Sequence, residues 1–194
     1  MSMYHSRLLS ASALCAGALF VSACSSTGGH GKFSQGGLPM AVQVPAEQVI
    51  AMETVGIGHV TYECRTQKAM LSQYEWAFVG PEAKLQTRRG HVGGRYWGPP
   101  ATRESHDGSK VTATQVAIAP AGNGNLPLQL VKAEPAIGTG AMQHVTYIQR
   151  VATRGGVAPS MPCSAANMGQ KQVVPYQADY IFWKKDPKAV AKPQ

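Results

Sequence analysis

The chain has 194 residues, 44% of them hydrophobic and 14% charged, with a formal net charge of +8. That length suits one domain with a sizeable core, and the composition is that of a globular chain, which excludes fibrous and fully disordered classes. The basic residues form no run interleaved with aromatics, which argues against a nucleic-acid partner.

Leu8 to Phe20 form a short apolar, small-residue run preceded by Arg7. It is too short to span a bilayer with ease and reads as a secretory signal. It ends in Val21-Ser22-Ala23-Cys24, a branched apolar residue, two small residues and a cysteine. This is the pattern of a bacterial lipoprotein signal, so residues 1–23 are expected to be removed, Cys15 with them, and Cys24 to carry acyl chains. Each buried methylene contributes about 0.8 kcal/mol, and two or more chains anchor stably. Ser25 after the cysteine points to the outer membrane, facing the periplasm. Removing the signal takes only Arg7 from the charge, leaving +7. A modest positive charge at that location suits peptidoglycan or another anionic envelope polymer.

Residues 24–41 read as a Gly/Ser-rich tether, SSTGGHGKFSQGGL after Cys24. About 14 such residues span roughly 20 Å root-mean-square. The domain is expected over 42–183. Its apolar residues alternate in short runs, which predicts strands at Gln48–Thr54, His59–Arg65, Gln73–Val79, Gly93–Trp97, Lys110–Ile118, Leu126–Ala133, Met142–Val151 and Val173–Trp183. Breakers fall at Gly80-Pro81, Gly98-Pro99-Pro100, Asp107-Gly108, Gly122-Asn123-Gly124 and Gly155-Gly156. A short helix is placed at Ala165–Gly169. Short strands with frequent turns predict an all-β fold, a single antiparallel sandwich or closed barrel. The Lys/Pro-rich residues 184–194 read as a disordered basic tail.

An internal echo joins His59-Val60-Thr61-Tyr62 with Arg65 to His144-Val145-Thr146-Tyr147 with Arg150. Alternation places Val60 and Tyr62 on one strand face and His59 and Thr61 on the other, with the same split in the second copy. Two similar strands needing similar packing account for it.

Cys64 and Cys163 are the cysteines left in the mature domain, beyond the acylated Cys24. In an oxidising compartment they are expected to pair, closing a loop of about 100 residues. A metal or redox thiol site is the alternative, and no CxxC supports it.

Chemistry-bearing motifs are sparse. GxSxG, SxxK and HExxH are absent, and Gly56-Ile57-Gly58 and Gly138-Thr139-Gly140 lack the remaining glycines and the helix of a phosphate loop, so no cofactor or metal is expected. His59, His91, His106 and His144 have no ligand spacing between them. The strongest binding cluster is Arg95-Tyr96-Trp97-Gly98-Pro99-Pro100 with Glu104, His106 and Asp107 behind it: flat aromatic area entering a stiff loop, flanked by both charge signs. The competing reading makes Tyr96 and Trp97 core.

Several blocks resemble a known family: Val60-Thr61-Tyr62-Glu63-Cys64-Arg65, Tyr74-Glu75-Trp76-Ala77-Phe78-Val79-Gly80-Pro81, Asp107-Gly108-Ser109-Lys110-Val111, Val145-Thr146-Tyr147-Ile148-Gln149-Arg150 and Val174-Pro175-Tyr176-Gln177-Ala178-Asp179-Tyr180. In this order they resemble domain of unknown function 3455, a secreted bacterial and fungal family. The resemblance implies a β-rich domain, carries both cysteine positions and brings no activity. The chain departs from the family pattern at Arg95, where a histidine is usual, and near Arg103 and at Leu128, where tryptophans are usual. The sequence therefore reads as an envelope-anchored β domain that binds or scaffolds, without catalysis. The alternative is a hydrolase of envelope glycan using two of Glu63, Glu75, Glu82, Glu104 and Asp107.

Overall fold

A computed structural model describes residues 33–70 and 72–189. The expected signal, Cys24 and most of the tether lie outside these residues. Eight antiparallel strands run in chain order: β1 Gln48–Thr66, β2 Tyr74–Gln86, β3 Val92–Trp97, β4 Thr102–Ser105, β5 Lys110–Ala119, β6 Leu128–Ala133, β7 Val145–Gly155 and β8 Lys171–Lys185. Each pairs with its neighbour, and β8 returns to β1, so the ring closes as a barrel. Of the two expected architectures, the barrel is the one formed. Among the described residues no helix is long and apolar enough to cross a membrane.

The expected gap between the strands Gln48–Thr54 and His59–Arg65 and the expected breaker Gly80-Pro81 are not breaks. β1 is one continuous strand through the glycines, and β2 continues past Pro81. Gly58 has a packing reason: a Cβ there would sit 2.0 Å from the Glu82 carbonyl oxygen, so only glycine lets β1 and β2 approach so closely. Pro81 pairs with Val60, and on its other side the β3 ladder begins only at Glu82, where a missing N–H costs no ladder bond. β4 is absent from the sequence reading. It is four residues long and holds Arg103 and Glu104, too short and too charged to register as alternation. The expected helix is a single 3-10 turn at Ala165–Asn167.

Inward positions meet in one core that includes Val60, Tyr62, Leu85, Tyr96, Val111, Ile148, Tyr176, Tyr180 and Phe182. An eight-stranded barrel is just wide enough for such side chains to fill it. Burial of each large one contributes about 1.5–3 kcal/mol. A second buried layer lies outside the barrel. Residues 34–47, with a 3-10 turn at Met40–Val42, pack on β5 and β6. Gln149, fully buried on β7, donates to the Val42 carbonyl at 2.7 Å and accepts from Trp183 Nε1 at 2.9 Å.

The histidine echo diverges in three dimensions. β1 and β7 both flank β8 without touching each other. A register shift between Val145 and Tyr147 breaks the alternation, so Val145 packs in the core while Tyr147 pairs with Trp183. His144 precedes the strand with φ 69°, and Arg150 pairs with Tyr180 on the core face.

Cys64 and Cys163 form the expected disulfide, with Cα atoms 5.4 Å apart. It fastens the β7–β8 loop over one end of the barrel. Trp76 Nε1 donating to the Met161 carbonyl (2.8 Å) and Tyr62 Oη donating to Gly156 (2.7 Å) hold the same loop.

Candidate functional site

Strand register decides which side chains share the outer surface. Ile57, Lys84 and Arg95 stand in one cross-strand row of β1, β2 and β3, and His59, Glu82 and Trp97 in the next. Both rows face outward, because the row between them, Gly58, Ala83 and Tyr96, turns into the core. Together they line an open groove of about 910 Å³ with Pro81 and Gly98 at its end.

Its polar groups are organised in pairs. The Arg95 guanidinium lies over the Trp97 ring, 4.4 Å from its centroid, and its Nε donates to Glu104. Glu104 also meets Lys110 Nζ at 3.4 Å. The Arg95 hydrogen bond, followed by the charges of Arg95 and Lys110, holds the Glu104 carboxyl below the usual range. His59 Nε2 lies 3.5 Å from Glu82. Exposed Lys84 belongs to no ion pair among the described residues. The groove thus offers an indole stiffened by a stacked cation, an uncommitted ammonium and an exposed carboxylate. Such a set suits a ligand with flat apolar faces and negative charge.

Residues 45–184 match the sequence model of a family described as protein of unknown function, DUF3455. The chain belongs to that family. No curated protein and no solved structure matches it. Within this DUF3455 barrel the residues singled out from sequence separate into three places. Arg95 and Trp97 line the groove, and Glu104 supports it through Arg95. Tyr96 underlies the groove with its ring buried, 5.4 Å from that of Tyr180.

His106 and Asp107 lie elsewhere, in the β4–β5 turn. Exposed His106 donates its backbone N–H to Gly93. Asp107 accepts from Ser109 N at 2.9 Å, Ser109 Oγ at 2.5 Å and Ala141 N at 2.7 Å. Met142 N in turn donates to Ser109 Oγ at 3.1 Å. Asp107 thereby ties the 134–144 loop across the other end of the barrel. The Ser109 hydroxyl first, then the two backbone donors, hold its carboxyl at about 2. Among the described residues no three His, Cys, Asp or Glu side chains converge as metal ligands.

The groove residues missed from sequence are Ile57, Pro81 and Lys84, while Glu82 was considered only as a hydrolase carboxylate and His59 only as a metal ligand. The signal was present: Val55, Ile57 and His59 keep the period-two pattern straight through the glycines.

Proposed function

We propose that the protein is an envelope lipoprotein, held by acyl chains on Cys24, whose barrel binds an anionic envelope polymer in the groove over β1–β3. Peptidoglycan is the foremost candidate. It combines sugar rings, which pack flat on an indole, with carboxylates, which suit Lys84 and Arg95. The signal pattern ending at Cys24 supports delivery to the outer membrane facing the periplasm. The observation that carries the binding assignment is Trp97, braced by Arg95 at the edge of an open groove beside an unpaired Lys84.

Binding is favoured over glycan hydrolysis because a general acid needs a carboxyl raised toward neutrality. Glu104 is shifted the opposite way and committed to Arg95 and Lys110.

The test is co-sedimentation of the full chain with purified sacculi, native and carboxyl-amidated. Retention is expected to fall about tenfold on Trp97→Ala or Lys84→Gln, the scale of a lost aromatic or ionic anchor. Amidation should weaken binding of the wild type equally. Equal retention of all variants on both kinds of sacculi would defeat the reading. Intact mass of the membrane-extracted protein tests the anchor separately, since an unmodified Cys24 would remove it.

A further inference from the structure

The groove over β1–β3 carries two exposed charges of opposite sign on a single strand. Glu82 and Lys84 stand two positions apart on β2, and Ala83 between them turns into the core. Alternation therefore sends both side chains to the same outer face, about 6.8 Å apart at the backbone. Both line the groove. Across the ladder to β3, Lys84 stands opposite Arg95 and Glu82 opposite Trp97.

The neighbouring charges are satisfied elsewhere. Arg95 is held by Glu104 and by the Trp97 ring, and Glu104 also by Lys110. Lys84 belongs to no ion pair among the described residues, so it does not close on Glu82 either. The Glu82 side chain is 76% exposed, and its one ion-pair partner among the described residues is His59, with Nε2 at 3.5 Å. On the far side of β1, the positions opposite His59 and Ile57 are Pro175 and Gln177, which bring no charge.

A purely anionic ligand uses only half of this arrangement. Seating its carboxylate on Lys84 brings it toward the like charge of Glu82, which opposes binding. A ligand bearing an ammonium beside its carboxylate turns that repulsion into a second contact. Charge-assisted hydrogen bonds of about 2.8 Å at each end let such a pair bridge the two side chains. The indole opposite Glu82 also attracts cations, as the Arg95 guanidinium over its ring shows.

We propose that the groove reads a zwitterionic amino-acid end, its carboxylate held by Lys84 and its ammonium by Glu82 beside Trp97. In peptidoglycan that chemistry belongs to the peptide stems, which carry free amines and carboxylates, rather than to the sugar backbone. The proposal rests on the groove being the surface that binds this polymer, and it names the part of the polymer that is recognised.

The experiment extends the co-sedimentation of the full chain to sacculi whose free amines have been acetylated, which removes the ammonium and leaves the carboxylates. Wild-type retention is expected to fall about tenfold on acetylated sacculi, the scale of one lost charge-assisted contact. Glu82→Gln should bind native sacculi about tenfold more weakly than wild type and should no longer respond to acetylation. Both Glu82 and Lys84 are exposed, so Glu82→Gln and Lys84→Gln keep the fold, which circular dichroism checks. The sign of the Glu82→Gln effect is decisive. If the groove takes carboxylates alone, removing the Glu82 charge strengthens binding and acetylation does not weaken it. That result overturns the zwitterion and leaves the anionic-polymer reading standing. Native binding unchanged by Glu82→Gln, or an acetylation effect that persists in that variant, overturns it as well. Retention indifferent to acetylation, amidation and Lys84→Gln alike defeats the groove itself.

Discussion

Breaking the Cys64–Cys163 bond is the perturbation whose effect can be worked through most fully. The two residues are separated by 99 positions, and in the chain-entropy account a cross-link of that span stabilises by about 4.7 kcal/mol. Whole domains have about 5–15 kcal/mol of stability, so the loss is a large fraction without necessarily unfolding the protein. The loop keeps other ties after the bond is cut. Cys64 N donates to Gln170 O at 2.9 Å and Gly169 N to Cys64 O at 2.8 Å, besides the Trp76 and Tyr62 bonds. Cys163→Ser should therefore leave a native near-ultraviolet spectrum in water and lower the urea midpoint. With a slope of about 2 kcal/mol per molar, the shift is roughly 2 M. The slope itself should rise, because an uncross-linked unfolded chain exposes more surface. Cys64→Ser should cost about 1–3 kcal/mol more than Cys163→Ser, since Cys64 is fully buried and its replacement leaves a hydroxyl to be desolvated. Urea titrations followed by tryptophan fluorescence measure all of these. A midpoint shift below about 0.5 M with an unchanged slope for Cys163→Ser would refute the reasoning.

Further outcomes follow from single residues. Asp107 has a folded value of about 2 against 3.8 ordinarily, so its contribution is complete above about pH 4 and fades as pH falls toward 2. Melting curves of wild type and Asp107→Asn should therefore differ at pH 6 and converge near pH 2. Tyr180 is pushed up to about 12, chiefly by burial. Its neutral form stabilises the fold fully below pH 10, and that contribution is lost between about 10 and 12. Absorbance at 295 nm should show Tyr180 ionising only with alkaline unfolding, a step missing in Tyr180→Phe. Gly58→Ala drives a Cβ into the Glu82 carbonyl at 2.0 Å and should cost about 3 kcal/mol, read as a lowered urea midpoint. The same change at Gly93, where a Cβ would meet no atom within 4 Å, should shift the midpoint little.

Legibility in the sequence followed burial. β5 and β8 are rich in β-branched and aromatic residues and were placed within two residues at each end. β4 escaped because its inward residue is an arginine, which no hydrophobic pattern flags. β1 and β2 were cut short because glycine and proline mark turns in isolation. Here close strand approach requires Gly58, and Pro81 pairs with Val60 while the β3 ladder on its other side begins only at Glu82. The groove suffered for the same reason, since half of it lies on the segments read as breaks. Asp107 was noticed for its charge, but its partners at Ala141 and Ser109 depend on a loop brought from elsewhere in the chain. Arg150 looked equivalent to Arg65 until a register shift turned it inward.

Closing the ring through Gln48 opposite Lys185 brings the polypeptide in and out at the same rim. A pull from ahead of β1 reaches that strand only once residues 34–47 have left β5 and β6, and it then meets the longest strand, laced to β8 from Gln48 and to β2 from Val55. Such a load shears two ladders at once, and their bonds must yield in concert. A barrel pulled from that end would withstand traction far better than a hairpin peeled from its tip.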